Sequence, residues 1–163
     1  MKTDKRKRVL SWNEYFMCTA LLAAKRSKDP SRQVGCCIID NNKRIISIGY
    51  NGFPNGCSDD EFPWSKDQKL SLYSTKYAYV VHAEANAILN AKCSLKDCTL
   101  YVTYFPCNEC TKLIIQSGIK KIVYLSDYSD PKNPLYRAAK RMLRSAKIKI
   151  EKYEGELDLL IER

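Results

Sequence analysis

The 163-residue sequence holds a single histidine, His82, and its acidic residues are outnumbered 18 to 28 by Lys and Arg. With one imidazole available, a Cys2His2 zinc site is excluded, and any histidine-dependent chemistry must run through His82. No apolar run approaches the ~20 residues that span a bilayer, so no membrane partner is expected. The segment Met1–Arg8 lacks the apolar stretch of a secretory signal. A cytoplasmic, reducing location follows as the expectation, and the eight cysteines read as metal ligands or free thiols instead of a disulfide framework. Internal repeats and low-complexity segments are also missing. The acidic deficit leaves a net charge of +10 and a pI near 9.2. Such a charge suits an anionic partner, either nucleic acid or a phosphorylated small molecule, but it equally describes a solvated surface with a basic tail. Five of the first eight residues are Lys or Arg, which reads as a nuclear address or a flexible arm. We therefore expect a flexible arm over residues 1–10 and one domain over 11–163, since the chain is too short for two ordinary domains.

What the sequence does contain is concentrated in two short stretches. His82-Ala83-Glu84 is followed downstream by Pro106-Cys107-Asn108-Glu109-Cys110, an arrangement that resembles the H-x-E…P-C-x-x-C signature of zinc-dependent nucleobase deaminases. A catalytic zinc takes three protein ligands and leaves one position open, and one imidazole with two thiolates supplies those three. The pair of thiolates also offsets the charge of the ion. Cys107 and Cys110 are three residues apart, a spacing that puts both thiols on one helix face. Pro106 suits a helix start, where the dipole and free N–H groups favour thiolate over thiol. His82 and Glu84 lie about 200° apart on an ideal helix, so we place them in a first turn aimed end-on at the metal, with Glu84 as a base beside its water and not as a ligand.

The rest of the chain reads as alternating elements. Ser11-Trp12-Asn13-Glu14 is a capping box opening a helix to about Ser27, with Trp12, Tyr15, Phe16, Thr19 and Leu22 near its apolar face. Asp29-Pro30 ends it. Strands Val34–Ile39 and Arg44–Tyr50 should form an antiparallel hairpin. A long irregular stretch, Asn51 to about Val80, is expected to be functional. Helix Ala83–Lys92, strand Thr99–Thr103, helix Cys107–Ser117 closed by Gly118, strand Lys121–Leu125, helix Leu135–Ser145 and strand Ile148–Lys152 follow. This order implies an α/β fold, a three-layer α/β/α arrangement around a mixed five-stranded sheet, with ligands bound beyond the strand ends.

From about Leu10 to Tyr128 the chain resembles the deoxycytidylate (dCMP) deaminases of the cytidine-deaminase-like superfamily. The resemblance is carried by Ser11–Met17, Lys25–Pro30, Gln33-Val34-Gly35, Tyr101-Val102, Phe105–Cys110 and Gln116–Lys120. Most distinctive is Gly49-Tyr50-Asn51-Gly52-Phe53-Pro54-Asn55-Gly56-Cys57-Ser58-Asp59-Asp60. Two positions depart from the family pattern: Ala85, where Leu or Met is usual, and Cys36, where Ala is usual. Both leave pocket shape and fine specificity open.

The resemblance implies hydrolysis of dCMP to dUMP and ammonia, with one zinc held by His82, Cys107 and Cys110. Glu84 would move a proton from water to N3 of the base and then to the departing amine. It places Asn51 on the sugar 3′-hydroxyl, the N–H of Ala83 on the base carbonyl and Phe105 along the base. Tyr128 is set near the 5′-phosphate with Ser31 or Arg32. Asn51-Gly52 also reads as a plain turn, and Tyr128 as exposed loop. The resemblance further implies a homohexamer activated by dCTP and inhibited by dTTP. Its effector site would comprise Lys28, Gly52, Phe53, Asn55, Gly56, Asp59 and Asp60, with Mg²⁺ accompanying the triphosphate. The same loop could instead brace the pocket. Cys18, Cys36, Cys37, Cys57, Cys93 and Cys98 are expected to be free thiols, since Cys36 and Cys37 face opposite ways on one strand. The competing readings are a polynucleotide deaminase acting on tRNA or single-stranded DNA, which the charge favours and the Gly49–Asp60 stretch does not, and a non-catalytic zinc regulator, which Glu84 opposes. No stable nucleic-acid partner is expected.

Overall fold

The capping box at Ser11 forms as its residue pattern dictates. In the computed structural model, which describes residues 4–7, 9–155 and 157, the Ser11 hydroxyl accepts from the Glu14 N–H at 3.2 Å, and the Glu14 carboxylate accepts from the Ser11 N–H at 2.6 Å. The reciprocal pair opens helix α1 (Trp12–Ala24). The expected arm over residues 1–10 and the end of the expected domain lie partly outside the described residues. Next come β1 (Gly35–Ile39) and β2 (Ile45–Tyr50), antiparallel as the hairpin pattern predicts. The long connection holds two 3-10 turns, Leu72–Ser74 and Lys76–Ala78. Then follow α2 (Ala83–Asn90), β3 (Thr99–Tyr104), α3 (Asn108–Gln116), β4 (Lys121–Ser126), α4 (Pro134–Ser145) and β5 (Lys149–Lys152).

The five strands form one mixed sheet in the order β2-β1-β3-β4-β5. β1 runs antiparallel to both β2 and β3, whereas β3-β4 and β4-β5 are parallel. Parallel neighbours demand crossovers, and α3 and α4 supply them. Helix α1 covers one face with Phe16, Met17 and Ala20 against Cys37, Tyr101 and Val123. On the other face Ala83, Ala87, Ile114, Ala139 and Leu143 meet Cys36, Ile38, Leu100, Val102 and Ile122. The fold is thus the expected three-layer α/β/α arrangement. Burial of every residue of β1 follows from helices on both faces, and Cys36 and Cys37 do face opposite layers.

Two expectations for α1 are corrected. The helix stops at Ala24, before Ser27. Its buried stripe is Phe16, Met17, Ala20, Ala23 and Ala24, while Trp12, Tyr15 and Leu22 are exposed. The cause is the closeness of the packing. A Cβ on Gly35 would stand 1.9 Å from the Ala20 carbonyl oxygen and 2.5 Å from the Ala24 nitrogen, a distance only small residues permit. The larger rings are left outside, with Trp12 stacked on Phe16 at 5.6 Å.

Among the described residues no helix is long and apolar enough to cross a membrane.

Candidate zinc and nucleotide site

Two helix N-termini meet at the carboxyl end of β3. His82 is the N-cap of α2, with extended backbone, and Glu84 sits in the first turn. Cys107 is likewise the N-cap of α3, not a residue within the helix, and Cys110 lies in its first turn. The shared thiol side therefore arises from capping: the Cys107 sulfur accepts from the Cys110 N–H at 3.5 Å, as an oxygen cap would. Pro106 precedes this cap, two positions before the first helical residue, Asn108.

His82 Nδ1 lies 3.4 Å from the Sγ of Cys107 and 3.4 Å from the Sγ of Cys110. A tetrahedral zinc with Zn–S near 2.3 Å and Zn–N near 2.1 Å sets its sulfur and nitrogen ligands about 3.6 Å apart, so the three donors fit that ion. Among the described residues this is the group of side chains able to hold a metal. His82 opens onto the cavity, Cys107 is half-buried and Cys110 is buried.

Electrostatics favour the same use. The Cys107 thiol is lowered to about 4, first by the hydrogen bond from Cys110 and then by His82 and the Cys110 backbone, against the cost of burial. Cys110 is pushed up, first by its bond to Cys107, then by burial and by Glu84. A metal bound there takes both sulfurs as thiolates, so binding releases protons. The His82 imidazole is raised by its bond to Cys107. Burial raises the Glu84 carboxyl above its ordinary range, and Glu84 is only 4% exposed. The Cys36 thiol, fully buried, is pushed well up by burial and then by Glu84.

His82, Glu84 and Cys107 line a cavity of about 430 Å³, of a size for a small molecule. Its walls include Asn51, Ala83, Phe105, Ser31 and Arg32, each anticipated from the sequence. Phe105 packs edge-on against Tyr124 at 5.2 Å. Tyr128 is not a wall residue; it is 71% exposed. It packs tilted against the wall residue Tyr104, ring centroids 5.5 Å apart, with the Arg32 guanidinium 5.1 Å above Tyr104 and 5.9 Å above Tyr128. Asn51 is buried, not a free turn residue.

Sequence reasoning missed Asp29, Lys76, Lys66, Tyr77 and Tyr104 as cavity residues. Lys76 Nζ donates to both carboxylate oxygens of Asp29, at 2.7 and 2.5 Å, and both residues are buried. The two are 47 positions apart, so no local pattern joins them.

The expected effector residues lie apart from this cavity. Lys28 forms an ion pair with Asp59 at the surface. Gly52 bridges Val81, Phe53 packs on Trp64 with ring centroids 4.0 Å apart, and Gly56 adopts φ +87°, which glycine accommodates. Asn55 and Asp60 are exposed, and the Asp60 N–H donates to the Ser58 hydroxyl.

The family model of the cytidine and deoxycytidylate deaminase zinc-binding region matches residues 10–126. The chain is 56% identical over 158 residues to a probable deoxycytidylate deaminase of Drosophila melanogaster, covering 93% of this chain and 77% of that protein. It is 50% identical over 159 residues to the mouse (Mus musculus) deoxycytidylate deaminase, covering 96% of this chain and 88% of that one. Among solved structures, the dCMP deaminase of cyanophage S-TIM5 in complex with dCMP and dUMP superposes with a TM-score of 0.66 at 28% identity, covering 86% of this chain and 95% of that one. A site of one imidazole, two thiols and a buried carboxyl, on this fold and with these relatives, places the chain in the cytidine and deoxycytidylate deaminase family, among the deoxycytidylate deaminases.

Proposed function

We propose that this chain hydrolyses dCMP to dUMP and ammonia, with one zinc held by His82, Cys107 and Cys110. The observation that carries the reading is the convergence of these three donors beside buried Glu84, with His82, Cys107 and Glu84 lining one cavity of small-molecule size. The phage relative solved with dCMP and dUMP supports the choice of substrate. A zinc ion bound there supplies Lewis acidity and lowers the pKa of a coordinated water to about 7. Glu84 takes a proton from the attacking water and gives it to N3, which makes C4 electrophilic. It then helps protonate the amine as the C4–N bond breaks. Its burial, which raises the carboxyl, suits a group that must both take and give a proton. The Ala83 N–H donates to the base carbonyl, Phe105 lines the base, Asn51 accepts from the sugar 3′-hydroxyl, and Ser31 and Arg32, with Tyr128 at the rim, face the 5′-phosphate.

The same reading extends to regulation: activation by dCTP and inhibition by dTTP, each with Mg²⁺, in a cytoplasmic homohexamer. The Lys28–Asp59 pair beside the Gly52–Asp60 loop supports an effector role, because it holds a cation where a triphosphate could displace Asp59. Residues 11–163 act as one catalytic domain. The test is ammonia release by zinc-loaded protein from dCMP, deoxycytidine, dCTP and a cytosine-bearing oligonucleotide. Release from dCMP well above the others is expected; release chiefly from the oligonucleotide, or from none, would overturn the proposal.

A further inference from the structure

The Asp29 carboxylate is an acceptor on every side. Its Oδ1 receives the N–H groups of Ser31 at 2.8 Å and Arg32 at 3.3 Å, and its Oδ2 receives Asn51 Nδ2 at 3.2 Å. Lys76 Nζ spans both oxygens, and the Asp29 carbonyl accepts from the Gln33 side chain. Asp29 is 2% exposed and Lys76 7%, so neither charge is hydrated enough to stand without the other. Only a carboxylate accepts on both sides at once. An amide at position 29 would turn an NH₂ toward either the backbone donors or Asn51.

Asn51 is correspondingly fixed. Nδ2 donates to Asp29 and to the Arg32 carbonyl at 3.0 Å, while Oδ1 accepts from the Val34 N–H at 2.8 Å. A flipped amide would set oxygen against oxygen at Asp29 and at Arg32, and N–H against N–H at Val34. Both Asn51 donors are therefore spent, and what it retains for the cavity is the second lone pair of Oδ1.

We propose that the Lys76–Asp29 ion pair is the positioning device of the nucleotide site: it locks Asn51 as an acceptor for a sugar hydroxyl and, through the same carboxylate, holds the Ser31–Arg32 backbone facing the phosphate. The proposal rests on the dCMP reading above. Neither residue touches the reacting atoms, and both act through Asn51, Ser31 and Arg32. Lys76 also ties in the long connection, since its N–H donates to the Ser65 carbonyl at 2.9 Å and its own 3-10 turn leads toward His82 through the Gly52–Val81 bridge. One buried pair thus joins the α1–β1 loop, the end of β2 and the approach to α2.

The experiment compares dCMP with 2′,3′-dideoxycytidine monophosphate, which lacks the 3′-hydroxyl, in the zinc-loaded wild type, Asn51→Ala and the neutral double variant Asp29→Asn/Lys76→Met. In the double variant KM for dCMP should rise about tenfold or more with kcat within about threefold, as loss of ground-state positioning requires. The preference for dCMP over the dideoxy analogue should collapse to that of Asn51→Ala, and adding Asn51→Ala to the double variant should remove no further preference. An unchanged KM with the preference intact would overturn the proposal and reduce the pair to a brace of the fold. Should the double variant lose its zinc or its melting transition, Asp29→Glu carries the test. It keeps the charge and moves the carboxylate by one methylene, so the same loss of preference is expected, and an intact preference overturns the proposal. A wild type that leaves dCMP unchanged refutes the functional reading itself, which a failure confined to the variants does not.

Discussion

Gly49 of β2 lies against the first turns of α2 so closely that a Cβ there would stand 2.3 Å from the carbonyl oxygen of Ala83 and 2.5 Å from the Ala87 nitrogen. Strand and helix thus share a backbone contact one residue from His82 and one from Glu84. Gly49→Ala should push α2 off the sheet, costing about 1–3 kcal/mol of stability as overpacking does and displacing Glu84 from the three metal donors. A Tm lowered by several degrees, with kcat falling at the same time, is the expected result of thermal melting and steady-state assay.

Glu84→Gln keeps the shape of the buried side chain and removes the proton carrier. kcat on dCMP should fall by about 10²-fold or more, while zinc content and dCMP affinity stay close to wild type. Elemental analysis and equilibrium binding check the second half, and turnover within tenfold of wild type would remove Glu84 from its role.

Cys107→Ala deletes one of three donors and the sulfur that caps α3. Zinc stoichiometry and activity should be lost together, because two ligands hold the ion poorly. Full metal content by elemental analysis would exclude the ligand assignment.

The thiols themselves are distinguishable by pH. Cys107 is lowered to about 4, whereas Cys37 is raised to about 12 by burial. In metal-free protein Cys107 is ionised from neutral pH downward until about pH 4. Alkylation by iodoacetamide should therefore persist at pH 6 on Cys107 and spare Cys36 and Cys37. Peptide mass mapping with and without one equivalent of zinc checks this, and zinc should protect the residue.

Lys28→Ala removes the cation paired with Asp59. With no buried partner lost, Tm should not move. Under the proposed regulation, dCTP and dTTP are expected to shift dCMP affinity by about 5–150-fold, and this response should shrink for both in the variant. Hyperbolic kinetics in the wild type, indifferent to either triphosphate with magnesium, would make the loop scaffolding alone.

Much of the centre was readable in one dimension because its geometry is local. His82 and Cys107 occupy N-caps, Glu84 and Cys110 follow within one turn, and the chain between them needs only a helix start to bring each pair to bear. The hairpin and the β-α-β order were legible for the same reason, since period-2 runs, turns and caps each act over a few residues. The capping box at Ser11 even marked the first residue of α1.

The buried side of α1 was not readable. Aromatic size suggested Trp12 and Tyr15, yet the helix sits on Gly35 through Ala20 and Ala24, and that choice depends on how near the sheet comes. Nor did any pattern point to Asp29 and Lys76. One reads as a helix stop and the other as a basic residue in an irregular stretch, and their pairing exists only after β2 and the long connection fold over the cavity. The chemistry of the site was thus determined by sequence alone, through residue type and spacing within single turns. Which side chains line the cavity beside that chemistry was decided by tertiary structure, because a buried charge finds its partner through desolvation and closure of the fold, and distance along the chain carries no record of either.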